Sequence, residues 1–324
     1  MRTFVTGGTG FLGTQVVKRL ARTQHELICL ARETSDTSVL EDSGATVVTG
    51  DITDKDCLAV NMQGCQWVVH LASSFVFWVP DRDSYKAVNI DGTRNVMEAA
   101  LEAGVSKVVH VSTAAAYGSA PWPITEESPV GAVHYSEYAR TKYEGDLVAW
   151  ELYRSSGLPL VAVYPGAVIG ANDPKAAGRY IKNMAQRRMP AQVLTDVVFP
   201  WVYVGDVAEA ILAALEKEGN IGERYLLTGE NLTFGEVNRM IGEIAAVPLP
   251  RLRLADFVTL VGAYVLTGLS KLTKKPPILD MSVDQIRLMK HGALVDGSKA
   301  ERELGVVYTP IRDVLREAIS SLAE

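Results

Sequence analysis

Over its first ~170 residues the chain alternates short, nearly unbroken apolar runs with longer stretches whose apolar positions recur every three or four residues. That alternation of period is the mark of βαβ units feeding a parallel sheet. The runs predict strands at Thr3–Thr6, Glu26–Ala31, Thr46–Thr49, Trp67–Leu71, Lys107–Ser112 and Leu160–Tyr164. Between them the 3.6-residue period predicts helices over Leu12–Arg22, Asp83–Ala103 and Ser136–Ser155, with Gly104 as a stop signal. The expected fold class is α/β: a doubly wound parallel sheet of the Rossmann type with a smaller, mostly helical C-terminal part.

Beyond residue ~170 helical patterns dominate (Ala176–Arg188, Gly205–Glu218, Thr233–Ala246), punctuated by Pro248, Pro250, Pro276 and Pro277. Strand-like Trp201–Val204 and Arg224–Leu227 are expected to return to the sheet. The expected organisation is therefore a nucleotide-binding domain over residues 1–170, with returning segments near 201–227. A substrate-binding part over 171–324 is interleaved with it.

The chain has 324 residues, 48% hydrophobic and 22% charged, ordinary values for a globular enzyme. A net charge of −6, with no Lys/Arg-rich run, argues against a nucleic-acid surface. Cys29, Cys57 and Cys65 have no metal-ligand spacing and fit buried thiols in a reducing, cytoplasmic setting. With the first strand beginning almost at once, no cleavable leader is expected. Leu254–Ser270 is apolar apart from Asp256 and is flanked by Arg251, Arg253, Lys271, Lys274 and Lys275. As a helix it spans ~25 Å, short of the ~30 Å hydrocarbon core. A lid or core helix over a substrate pocket is the first expectation. A helix resting on a membrane surface is the second.

Chemistry enters at Thr6-Gly7-Gly8-Thr9-Gly10-Phe11-Leu12-Gly13, between the first strand and the first helix. Gly7 permits a tight turn, Gly10 lets the backbone approach a pyrophosphate, and Gly13 lets helix and strand pack closely. The helix N-terminus then faces the phosphates. At the end of the second strand, where an acid would hold the ribose hydroxyls of NAD, the chain reads Leu30-Ala31-Arg32. Arg32 suits a 2′-phosphate, with Thr34 and Ser35 adding hydroxyls, so NADP(H) is expected ahead of NAD(H). The competing reading gives the ribose to Glu33. Asp51 and Ile52 are placed to meet the adenine, and Leu71, Ala72 and Ser73 to line the crevice. His70 reads as a packed side chain rather than a catalytic one.

Tyr138 and Lys142 lie four residues apart and share a helix face. A free phenol titrates near pH ~10, and a fixed ammonium beside it favours the phenolate, so a lowered pKa is expected for Tyr138. Ser112 and Thr113 end the fifth strand at the same crevice and offer hydroxyls to a carbonyl oxygen.

TGGTGFLG at 6–13, GDITD at 50–54, HLAS at 70–73, VSTAAAYG at 111–118, YARTK at 138–142, YPGAVIG at 164–170, WVYVGDVAEAI at 201–211 and DGSKAERELG at 296–305 stand in this order. Together they resemble the extended short-chain dehydrogenase/reductase (NAD-dependent epimerase/dehydratase) family along essentially the whole chain. The likeness is greatest to its dihydroflavonol-4-reductase and 3β-hydroxysteroid dehydrogenase-like branch. The resemblance implies Tyr138 as general acid/base, Lys142 as the residue that tunes it and binds the nicotinamide ribose, and Thr113 as the hydroxyl that holds the substrate oxygen. It places Pro165, Gly166 and Val168 beside the nicotinamide. It also implies pairing of two chains through the helices over 83–103 and 136–155.

Relatives that act on nucleotide sugars carry two diphosphate-binding arginines. Here Phe199 stands at one position, and Leu288-Met289-Lys290-His291-Gly292 supplies none at the other. A buried diphosphate without cations is costly. The apolar candidates, Ser74-Phe75-Val76-Phe77-Trp78-Val79-Pro80 with Met184, Met189, Val193, Leu194, Phe199 and Trp201, suit a bulky apolar substrate. The expected activity is NADP(H)-dependent interconversion of a ketone and a secondary alcohol on a steroid-, terpenoid- or flavonoid-like molecule. The alternative is a nucleotide-sugar epimerase or dehydratase with tightly held NAD.

Overall fold

A computed structural model of the chain describes residues 1–79 and 81–322. Seven parallel strands form the main sheet: β1 (Arg2–Thr6), β2 (Glu26–Ala31), β3 (Thr46–Thr49), β4 (Trp67–His70), β5 (Lys107–Val111), β6 (Leu160–Pro165) and, later in the chain, Arg224–Leu227. Alternation along each strand sends side chains to two separate cores. Phe4, Ile28, Leu30, Val68 and Val108 face one way, under the helices Thr93–Glu102 and Glu137–Ser156. Val5, Cys29, Val69, Val109 and Val161 face the other, under Phe11–Leu20 and Val204–Glu216. A sheet covered on both faces needs strands apolar at nearly every position, which is why the runs read so plainly.

Two strands were expected to rejoin this sheet, and they part company. With β7 (Ala167–Ile169) and β8 (Val198–Tyr203) numbered first, β9 (Arg224–Leu227) pairs in parallel with β6, as Val163↔Tyr225 and Tyr164↔Leu226. β8 instead forms the middle of a three-stranded sheet between β7 and β10 (Glu230–Thr233). Its register, Trp201↔Ala167 and Trp201↔Glu230, sets Phe199 and Trp201 over a third core. That core holds Ile181, Met184, Leu194, Phe234, Val237 and Ile241.

The segment over 83–102 is helical throughout, but Ala87–Gly92 makes a π-helical turn in its middle. Such turns re-aim side chains inside a helix. The facing helix Glu137–Ser156 begins where the Ser136 hydroxyl accepts from the Ala139 N–H, and it ends at Gly157, whose φ of 70° suits a glycine stop.

The helix Asp256–Thr273 departs from the expectation of a lid. None of its described residues lines the main cavity. Its buried positions are Thr259, Ala263 and Ser270, with Ala263 packing against Val283 and Ile286 of the helix Val283–His291, and most of its apolar side chains are left in solvent. No described helix is long and apolar enough to cross a membrane. Cys29 and Cys65 are buried, Cys57 is half-buried, and all are free thiols.

Candidate active site

The order β3-β2-β1-β4-β5-β6-β9 reverses direction between β1 and β4. The carboxyl ends of those strands open a crevice there. Gly7 turns the chain at a φ of +73°, and a Cβ on it would stand 2.6 Å from the Ala72 backbone nitrogen. A Cβ on Gly13 would stand 2.1 Å from the Gly7 carbonyl oxygen. No side chain caps the helix that starts at Phe11, so its positive end is open to an anion. A backbone cradle this tight fits the pyrophosphate of a dinucleotide.

A cavity of about 690 Å³ runs from this loop to the three-stranded sheet. Gly7, Gly10, Phe11, Leu12, Gly13, Arg32, Asp51, Ile52, Leu71, Ala72 and Ser73 line it, and so do Thr113, Tyr138, Pro165, Gly166 and Val168. Arg32 is exposed and shares the wall with Ser35; neither Glu33 nor Thr34 is part of it. Asp51 turns the following loop by accepting from the Thr53 N–H and hydroxyl, each at 2.9 Å.

Lys142 is the candidate that does not line the cavity. It lies buried behind the wall, its Nζ donating to the Val111 carbonyl at 2.9 Å. Burial pushes its pKa down to about 8, and the charge of Asp146 works against that fall. The expectation for Tyr138 is reversed. Burial pushes the phenol well above its ordinary range, a hydrogen bond with Thr113 pulls back, and Asp146 adds to the rise. Withdrawing a phenolate from water outweighs the polar partners at this depth. Tyr138 is therefore a neutral hydroxyl at pH 7.

Behind these groups lies a buried polar chain. The Asp146 carboxylate, one turn beyond Lys142, accepts from the Ser112 hydroxyl at 2.8 Å and pairs with His110 Nε2 at 2.9 Å. Ser112 is thus committed to Asp146, whereas Thr113 is the hydroxyl beside Tyr138. His70 is fully buried between Thr6 Oγ1 at 2.7 Å and Thr93 Oγ1 at 3.2 Å. Burial holds its pKa well below the usual imidazole value, so it is a neutral packing group.

Phe75 and Phe77 meet the Tyr138 ring edge-to-face, at centroid distances of 5.0 and 5.9 Å. Asn89, on the π-helical turn, ties this cover in place. It accepts from the Ser74 N–H at 2.8 Å and donates to Thr141 at 3.0 Å, on the helix that carries Tyr138. Asn89 has no signal of its own in the sequence, where it is one of two asparagines inside the helical pattern over 83–103.

Of the apolar candidates, Ser74, Phe75, Val76, Phe77, Phe199 and Trp201 line the cavity. Met184, Val193 and Leu194 are core, Met189 packs against that core, and Trp78 and Val79 line a smaller cavity next to Lys271. Pro80 lies outside the described residues. Tyr135, Tyr180, Phe234, Leu288, Met289 and His291 also line the main cavity, a role the sequence reading does not give them. Both positions where a diphosphate-binding arginine was sought, Phe199 and Leu288–Gly292, thus converge on this space. Lys290 between them is exposed, and Lys175, beside Asp173, is the cation in the substrate half of the described wall. Gln285 Oε1 and His291 Nε2 are buried with no hydrogen-bond partner among the described residues.

A parallel sheet whose first loop fits a pyrophosphate, with a buried tyrosine beside a half-buried threonine farther along the same cleft, is the arrangement of a dinucleotide-dependent enzyme. The model of the NAD dependent epimerase/dehydratase family matches residues 3–227. The sterol demethylase protein B of Methylococcus capsulatus is 31% identical over 100% of this chain and 99% of its own length. The 2-alkyl-3-oxoalkanoate reductase of Shewanella oneidensis is 29% identical over 93% of this chain and 81% of its own. Among solved structures, the dTDP-glucose 4,6-dehydratase DesIV of Streptomyces venezuelae, with NAD and TYD bound, is 25% identical. It covers 100% of this chain and 97% of its own, with a TM-score of 0.80. The chain belongs to the NAD-dependent epimerase/dehydratase family, the extended short-chain dehydrogenase/reductases, and is an enzyme that works with a nicotinamide dinucleotide.

Proposed function

We propose that this enzyme is an NADP(H)-dependent reductase that interconverts a ketone and a secondary alcohol on a bulky apolar substrate of the steroid, terpenoid or flavonoid kind. The observation that carries this reading is the apolar lining, Phe199 and Leu288–Met289, at the two positions where a sugar nucleotide needs cations. Phe75, Phe77, Tyr180, Trp201 and Phe234 extend that lining. Arg32, exposed on the wall next to Ser35, supports the 2′-phosphate.

When bound, the reduced nicotinamide supplies the hydride to the carbonyl carbon. Thr113 holds the carbonyl oxygen and Tyr138 gives it a proton, so that ketone, hydride and proton balance as alcohol. A phenol kept neutral by burial suits this donation. Phe75 and Phe77 keep water from the reacting oxygen, and the Lys142 ammonium offsets the charge left on the phenolate. Two such chains pair through the outer faces of the helices Thr93–Glu102 and Glu137–Ser156.

Net NADPH consumption with a bulky ketone, faster than with NADH, is the expected result. Arg32→Ala should narrow that preference. Substrate interconversion at constant cofactor would instead establish the epimerase reading, and a clear NADH preference would overturn the cofactor assignment.

A pH dependence follows from Lys142. With its pKa pushed down to about 8, the ammonium is present below that pH and is lost as pH rises through it, so kcat/KM for reduction should fall on the alkaline side. Asp146 holds that pKa up, so Asp146→Asn should move the falling limb to lower pH. A limb that stays in place would show that Lys142 does not govern it.

A further inference from the structure

The helix Asp256–Thr273 presents an apolar stripe along its whole length to solvent. Phe257 is 68% exposed, Val261 59%, Val265 58%, Leu269 52% and Leu272 83%. These positions recur every three or four residues, so they share one face, while Thr259, Ala263 and Ser270 face the protein. Leu252 before the helix and Ile278 after it are also exposed, at 56% and 70%. Isolated exposed apolar residues are ordinary, but a contiguous run of this size marks a contact surface.

Charge says which contact. Arg251 and Arg253 stand exposed before the helix, and Lys271, Lys274 and Lys275 stand exposed at its end, in a chain whose net charge is −6. Asp256, in the first turn, is the exposed acid of the helix. An apolar stripe with cations at both ends matches the headgroup layer of an anionic bilayer, where chains take up the stripe and phosphates meet the cations. We propose that this face docks the enzyme on an anionic membrane surface, with the helix lying in the interface.

The same geometry gives docking a use, which rests on the apolar-substrate reading above. The helix Val283–His291, packed beneath the stripe, puts Gln285, Leu288 and Met289 into the wall of the main cavity. At the other end, Lys271 and Lys274 share a smaller cavity with Phe77, Trp78 and Val79, from the segment that covers Tyr138. A docked enzyme therefore holds the wall and cover of its substrate site next to the lipid, the phase in which a bulky apolar ketone resides.

Co-sedimentation of the full chain with vesicles tests the proposal. Binding is expected to roughly 7:3 phosphatidylcholine–phosphatidylglycerol vesicles, weakening with salt, and to be far weaker on phosphatidylcholine alone. Replacing Lys271, Lys274 and Lys275 together by Gln should weaken it about a hundredfold, at roughly fivefold per cation. Phe257→Ser with Val261→Ser and Val265→Ser should abolish it, while the melting temperature and turnover of a water-soluble ketone stay unchanged. No binding to anionic vesicles, or binding that ignores both sets of substitutions, overturns the proposal. It is equally overturned if the serine variant converts a dimer to a monomer, because a second copy then covers this face. Vesicle binding is read without turnover, so its failure leaves the reductase reading standing, and failed ketone reduction leaves the docking result standing.

Discussion

Tyr138→Phe is expected to lower kcat for ketone reduction by about 10²–10⁴-fold, the range a positioned general acid contributes. The substitution keeps the ring, so its edge-to-face packing against Phe75 and Phe77 survives and the fold with it. Only the proton and the hydrogen bond with Thr113 are lost. Cofactor affinity, read by fluorescence titration, should change little, because the phosphate cradle lies at the other end of the cleft. Single-turnover kinetics with saturating NADPH would separate the chemical step from release. Turnover that survives the loss of the hydroxyl would assign proton donation to another group and remove the mechanism.

Gly13→Ala is expected to weaken cofactor binding by about ten- to a hundredfold, the cost of overpacking a rigid site. The added Cβ would stand 2.1 Å from the Gly7 carbonyl oxygen and 2.8 Å from the Gly8 Cα. Both are backbone atoms, so no side chain can swing aside. Relief comes only by moving the turn that aims the helix N-terminus at the phosphates. Isothermal titration with NADPH and with NADH should show both affinities fall together, unlike Arg32→Ala, which should weaken NADPH selectively. An alanine enzyme with unchanged affinity would mean that this loop does not cradle the pyrophosphate.

The strands of the main sheet are legible because a strand covered on both faces is apolar at nearly every position, as in Ile28-Cys29-Leu30 and Val108-Val109. The glycine loop was legible because its backbone approaches admit no side chain at Gly7 and Gly13. The four-residue offset of Tyr138 and Lys142 placed both on one helix, which is where they are. Period and spacing carry such facts because they are local.

What depends on surroundings was not legible. Met184 and Leu194 are as apolar as Phe199, yet the first two fill a core and the third faces a cavity. That division depends on where each element packs in the fold, and composition holds no trace of it. The apolar stretch from 254 to 270 looked suited to cover a pocket, but small residues turned its inner face to the protein and its large ones to solvent.

The pKa of Tyr138 makes the same distinction within one side chain. A nearby ammonium was visible from spacing, and it predicted a lowered value. Depth of burial was not visible, and burial sets the direction. Sequence by itself determined the parallel sheet, the dinucleotide loop and the residues that share a helix face, since these follow from repeat, backbone sterics and helical geometry. Tertiary structure alone decided which apolar side chains line the site, which way the tyrosine titrates and which helix meets the solvent, because solvent exposure is a property of the assembled chain.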